Sequence, residues 1–190
     1  MLRLISFVLI LGGLIAAGIG LHSVWTTWEA ERQAQEQWDR QIADRPSIAE
    51  PPRELQRGEM VARLSIDRLD SQWVVVEGAD KSELKLGPGH LPDSALPGSR
   101  GNCVIAGHRD TQFRVLRNVE IGEEITLETG GRKFVYRVTD REVVPPTDTR
   151  SLDPTPKPTL TLITCYPFYF VGPAPKRFVV RAELVSSTPA

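Results

Sequence analysis

The sequence predicts an all-β domain, a closed barrel or a sandwich, occupying about 130 residues from Gly58 onward. Short stretches rich in β-branched and aromatic residues recur along this region, each bounded by Gly, Pro, Asn or Asp. At least seven such stretches are found, with little that reads as helix between them, and many short strands punctuated by turns are the mark of these architectures. A chain of 190 residues has room for one such domain and an appended segment.

The appended segment comes first. Leu4 to Leu21 is a run of 18 residues without a charge, LISFVLILGGLIAAGIGL. As a helix it is about 27 Å long, close to the hydrocarbon thickness of a bilayer. Arg3 precedes it, and Trp25 and Trp28 follow at interfacial positions. This pattern predicts a transmembrane signal anchor over residues 1–22, with the short basic flank cytoplasmic and the body of the chain outside. The small residues from Ala16 to Gly20 leave a cleaved signal peptide as the rival reading.

Residues 23–57 read as a helical stalk and a linker. His22 to Arg45 is rich in Glu, Gln, Ala and Arg, which favour helix, but Trp25, Trp28, Trp38 and Ile42 make an apolar stripe too thin for a core helix. Pro46, Pro51 and Pro52 end the helical pattern.

The strands of the main domain, residues 58–187, follow in order. Val61 to Ile66 alternates with period two, and Trp73-Val-Val-Val-Glu77 is a β-branched run. Leu86 to Arg100 is dense in Pro and Gly and reads as irregular. Asn102 to Gly107 has the look of a buried strand, and Phe113 to Val119 of one or two helical turns. Glu124 to Glu128, the turn Thr129-Gly-Gly131 and Lys133 to Val138 make a hairpin. Val143 and Val144 lead into a proline-rich crossing from Pro145 to Pro158. Thr159 to Cys165 and Arg177 to Val185 are the last two strands.

The charge balance excludes one broad class of function. A formal net charge of -1, with no basic run interleaved with aromatics, argues against nucleic acid as a partner. Two cysteines and three histidines without a C-x-x-C pair do not make a zinc site, and no Asp/Glu cluster suggests calcium, so no metal or other cofactor is expected.

Chemistry is concentrated where strands end. Cys165 closes a strand just before Tyr166-Pro167, where the chain must leave the sheet and a thiol becomes reachable, whereas Cys103 lies inside an apolar run. His108 also follows a strand, in Ala106-Gly-His-Arg-Asp110, and a thiol nucleophile needs a nearby acid/base. His22 sits beside the expected anchor and His90 in a Gly/Pro loop, where turn packing is the plain explanation. Arg177 opens the last strand, where a guanidinium would serve to stabilise a developing oxyanion. Taken singly, each residue also has a structural explanation.

Together their contexts are specific. Thr161-Leu-Ile-Thr-Cys165 matches the T-L-x-T-C motif of the sortases. The upstream block Ala106 to Thr111, AGHRDT, and the arginine twelve residues after the cysteine fit the same family. The chain resembles the sortases, the class D-like and proteobacterial type in particular, over residues 58 to 186. That resemblance implies an eight-stranded β-barrel with Cys165, His108 and Arg177 meeting at one end. It implies a cysteine transpeptidase that cleaves an LPXTG-like sorting signal in a protein substrate through a thioester. The acyl group would pass to an amine, a cell-wall peptide or a pilin lysine, at the cell surface. By the same resemblance His108 is the acid/base, Arg177 binds substrate or oxyanion, and Thr164 assists substrate binding. Two alternatives stand beside it: a hydrolytic cysteine peptidase, and a non-catalytic surface β-domain that binds peptides. Papain-like peptidases place the cysteine before the histidine and at the start of a helix, the reverse of the order here.

Overall fold

The computed structural model describes residues 55–169 and 172–190, together with scattered positions between 13 and 40. The expected anchor, apart from Gly13, lies outside the described residues. Among the described residues no helix is long and apolar enough to cross a membrane. The described stalk positions are helical, and Trp38 is buried beneath the Arg63 guanidinium, 5.7 Å from its ring centre.

Eight strands form a closed barrel: β1 Met60–Ile66, β2 Ser71–Glu77, β3 Gly89–His90, β4 Asn102–Gly107, β5 Glu124–Thr129, β6 Arg132–Val144, β7 Thr159–Tyr166 and β8 Lys176–Pro189. Around the barrel the order is β1-β2-β3-β4-β7-β8-β6-β5. The β2–β3 and β4–β7 pairs are parallel, and every other pair is antiparallel. Closure leaves no free sheet edge.

Period-two alternation decides what fills the barrel. Leu64 and Ile66 from β1, Cys103 and Ile105 from β4, Leu160 and Leu162 from β7, and Val180 and Ala182 from β8 all point inward. Each large apolar side chain so buried contributes about 1.5–3 kcal/mol. The β5–β6 hairpin closes on Gly130 and Gly131, both at positive φ (56° and 70°), which a two-residue loop of matching twist requires.

Two elements differ from the sequence expectation. β3 lies in the Pro/Gly-dense stretch expected to be irregular, and its two residues suffice because Gly89 and His90 pair with β2 on one side and β4 on the other. β6 does not stop at the hairpin but continues to Val144, paired with β8 through two register irregularities. Phe113 to Val119 is helical as expected, as a 3-10 segment over Gln112–Asn118.

His90 is a packing residue of an unusual kind. It is fully buried, with Nδ1 2.7 Å from Glu77 Oε2 and Nε2 within 3.1 Å of Ala95 O and 3.0 Å of Ser94 Oγ. A carbonyl oxygen only accepts, so Nε2 carries a hydrogen. Ser94 Oγ donates to Leu91 O and accepts from Val104 N, which ties the chain after β3 to β4.

Candidate active site

The three residues expected to carry chemistry come together through strand register. β7 lies between β4 and β8, in parallel with the first and antiparallel to the second. Cys165 is the direct partner of Arg177 across β7–β8. Gly107 is the partner of Thr164 across β4–β7, so the next residue on each strand sets His108 beside Cys165. Neighbouring strands lie about 4.8 Å apart, which makes His108, Cys165 and Arg177 one row across three strands.

They also share a face. Alternation places Leu160, Leu162 and Thr164 of β7 on the interior side and Thr161, Ile163 and Cys165 on the outer side. In β4, Cys103 and Ile105 face inward, so Ala106 stands outward and the row continues to His108. In β8, Val180 and Ala182 face inward, and Arg177 and Val179 outward. The row below the trio is Ala106, Ile163 and Val179, which are register partners; Ala106 and Ile163 are partly exposed beside the polar row and Val179 is buried.

Exposure separates the two thiols. Cys165 is a free thiol, partly exposed at the strand end. Cys103 is free but buried, and burial together with the Glu77 carboxylate pushes its thiol pKa far up. A thiolate is the nucleophilic form, so burial disfavours Cys103 as a nucleophile, and Cys165 is the more accessible thiol.

The loop after β4 is held firmly while the His108 side chain stays exposed. His108 N donates to Gln112 Oε1 at 3.3 Å, and Phe113 N donates to His108 O at 2.9 Å. Gln112 is buried, accepts from Thr111 Oγ1 at 2.8 Å and donates to Leu84 O at 3.3 Å. Gly107 lets this turn fold close, since a Cβ there would stand 2.7 Å from the Phe113 ring. Arg109 Nη2 donates to Gly172 O at 3.0 Å and joins the histidine loop to the β7–β8 loop. Among the described residues no carboxylate pairs with His108.

Beneath Cys165, on the interior side, Tyr166 stacks on Phe178 with ring centres 6.3 Å apart, and Phe168 packs edge-on at 5.9 and 5.4 Å. This aromatic base fixes the end of β7 against the start of β8. Arg177 Nη1 bonds the carbonyls of Ala174 (3.4 Å) and Lys176 (3.1 Å), weak contacts that leave the rest of its fork available.

Thr164, expected to touch substrate, is only 2% exposed and faces the interior. Its hydroxyl donates to Gly107 O at 2.7 Å. This bond locks β4 to β7 at the pair immediately before His108 and Cys165. Gln112 and Thr164 thus bond the backbone of His108 and of Gly107, beside the row, rather than standing in it. The first was not singled out from sequence, because its partners lie in remote loops.

A model of the sortase domain family matches residues 64–185. The chain belongs to the sortase family. Over 130 residues it is 35% identical to Sortase D of Bacillus subtilis, covering 68% of this chain and 66% of that protein. Sortase SrtE1 of Streptomyces coelicolor is 30% identical over 184 residues, covering 87% of this chain and 51% of that one. The chain therefore spans about two thirds and about half of the lengths of these two relatives. The structure of Sortase A from Corynebacterium diphtheriae superposes with a TM-score of 0.63 at 37% identity, over 69% of this chain and 62% of the other. Sortases are cysteine transpeptidases that act on proteins bearing sorting signals and on amine acceptors.

Proposed function

We propose that this sortase cleaves a short LPXTG-like sorting signal through a thioester on Cys165 and transfers the acyl group to an amine. The observation that carries the reading is the row His108–Cys165–Arg177, with an exposed imidazole and a guanidinium on either side of an accessible thiol. The Cys165 thiolate attacks the scissile carbonyl carbon, forming a C–S bond and a tetrahedral oxyanion. Arg177 donates hydrogen bonds to that oxyanion or to the adjoining substrate carbonyl. Collapse breaks the C–N bond, and His108 gives its proton to the departing amine. An incoming amine then attacks the thioester, loses a proton to His108 and displaces the Cys165 thiolate.

Thr164 takes part by holding register, through its bond to Gly107, rather than by touching substrate. Ala106 and Ile163, partly exposed next to the catalytic row, support an apolar residue of the signal lying along β7. The run Leu4–Leu21 supports a single membrane anchor, and with it a catalytic domain outside the cytoplasm. The acceptor is an amine of a cell-wall peptide or a pilin lysine.

The test is incubation of the purified protein with an LPXTG-type peptide and an amine donor. The expected product is the amide of the two. Cys165→Ala should abolish it and Cys103→Ala should retain it. Free acid as the sole product would favour a hydrolytic peptidase. Turnover that survives Cys165→Ala would overturn the assignment.

A further inference from the structure

We propose that the segment before the barrel is a docked strut, latched by Trp38 on Arg63, that holds the catalytic row turned away from the anchor-bearing end and at a set reach from the membrane. The proposal rests on the anchored transpeptidase reading above. Every described position from Trp25 to Arg40 is helical. Trp38 is 5% exposed, with the Arg63 guanidinium 5.7 Å from its ring centre. Gln35, one turn earlier on the same face, is partly buried and lines a cleft shared with Arg63 and Ser65 of β1 and Ser71 and Gln72 of β2. Arg32, Gln33, Glu36, Gln37 and Arg40 are exposed, so one side of the helix meets the barrel.

The strut lies on the outer wall. Leu64 and Ile66 of β1, and Trp73 and Val75 of β2, fill the interior, so Arg63, Ser65 and Gln72 face outward. A guanidinium is attracted to the negative face of an indole ring, and exclusion of water strengthens the contact. Trp38 Nε1 makes no hydrogen bond in its buried position. A buried N–H without a partner weakens the contact that buries it. The latch therefore rests on the packing of one indole and one cation–π contact, few enough interactions for a single substitution to open it.

The wall that receives the strut is opposite the catalytic row. Around the closed barrel three strands separate β1 from β7 in either direction, β2-β3-β4 one way and β5-β6-β8 the other. Cys165 faces outward from β7, so the strut and the thiol stand on opposite sides of the barrel. Leu21 precedes Trp38 by 17 positions, about 26 Å along a helix. A docked strut fixes the reach of the row from the bilayer. Undocked, the barrel would hang on residues 41–57, and a coil of that length has an r.m.s. span of about 23 Å. Loss of the latch should therefore leave the chemistry at Cys165 alone and blur the distance at which a membrane-borne signal is reached.

The experiment reconstitutes the full chain in phosphatidylcholine–phosphatidylglycerol vesicles and compares wild type, Trp38→Ala, Arg63→Ala and Arg63→Lys. Each is given an LPXTG-type peptide free in solution, and the same peptide tied to the vesicle lipid through Gly/Ser spacers of graded length. The readouts are the rate of thioester formation and hydrogen exchange over residues 32–40. In wild type the rate on tied peptides should peak with spacer length and fall about 10-fold on either side. Trp38→Ala and Arg63→Ala should flatten that profile to within about twofold and accelerate exchange over 32–40 about 10-fold. Arg63→Lys keeps a cation near the ring and should fall between wild type and Arg63→Ala in both readouts. With the free peptide, kcat and KM should be unchanged in every variant.

An identical spacer profile in wild type and both alanine variants overturns the proposal. So does exchange over 32–40 as fast in wild type as in Trp38→Ala. A free-peptide kcat that falls with the latch also overturns it, since that places the effect in the barrel. If Arg63→Ala fails to fold, Trp38→Ala decides alone, because its side chain precedes the barrel. Wild type that a carbonate wash strips from the vesicles sinks the anchor reading and the strut with it. Absence of thioester from wild type with every peptide sinks the transpeptidase reading instead, and the exchange comparison still decides the dock.

Discussion

Thr164→Val removes one hydroxyl and keeps the shape of the side chain. What is lost is the 2.7 Å bond to Gly107 O, buried between β4 and β7. An unmade buried hydrogen bond costs about 1–3 kcal/mol, because the carbonyl loses a partner without regaining water. The bond sits one residue before both His108 and Cys165, so the penalty falls on the register that sets them side by side. Folding stability should drop by about 1–3 kcal/mol in chemical denaturation at constant m-value. If half of a 2 kcal/mol penalty appears in the transition state, kcat falls about fivefold, while KM for the signal stays near wild type. Thr164→Ser keeps the hydroxyl and should recover kcat despite losing a methyl group. The assay pairs urea titration with pre-steady-state thioester formation. A Val variant as stable and as fast as wild type refutes the register argument. A Val variant whose KM rises with kcat unchanged would mean that Thr164 contacts substrate after all.

Three further outcomes follow from the same geometry. Arg177→Lys should lower kcat/KM at least 10-fold, because a point charge does not replace a planar fork on an oxyanion, and near-normal turnover would remove Arg177 from the mechanism. Gly107→Ala forces a Cβ to within 2.7 Å of the Phe113 ring, so it should destabilise by about 1–3 kcal/mol and depress kcat by displacing His108, as checked by denaturation and steady-state kinetics. Cys103, whose thiol pKa burial raises well above its ordinary value, should resist alkylation in the native protein even at pH 9, whereas Cys165 reacts, as peptide mapping by mass will tell. The sign is that of a raised acid: the stabilising effect of the neutral Cys103 thiol is complete below the unfolded thiol pKa and is lost only as pH climbs towards the folded value.

The strands, and the standing of Cys165 and His108 where strands end, were legible in the sequence for a common reason, since both rest on local pattern. Val61–Ile66, Glu124–Glu128 and Thr159–Cys165 announce themselves by alternation, and Cys165 and His108 by standing where such runs stop. The inward facing of Thr164 was written in the same alternation, since it shares parity with Leu160 and Leu162. The resemblance to sortases drew it towards substrate instead. β3 was illegible because two residues flanked by Gly and Pro carry no period, and only pairing with β2 and β4 makes them a strand. Gln112 and the His90–Glu77 pair escaped notice for a different reason. Their roles depend on partners such as Leu84 and Glu77, which folding alone brings into reach.

The row His108–Cys165–Arg177 is the centre of the account, and a trapped intermediate tests it most directly. The protein is mixed with an LPXTG-type peptide without amine, quenched in acid within seconds, and mapped by mass. The acyl fragment is expected on Cys165 alone, discharged to the amide when an amine is added before the quench, and absent in His108→Ala. An acyl group on Cys103, or amide formation at the wild-type rate in His108→Ala, would contradict it.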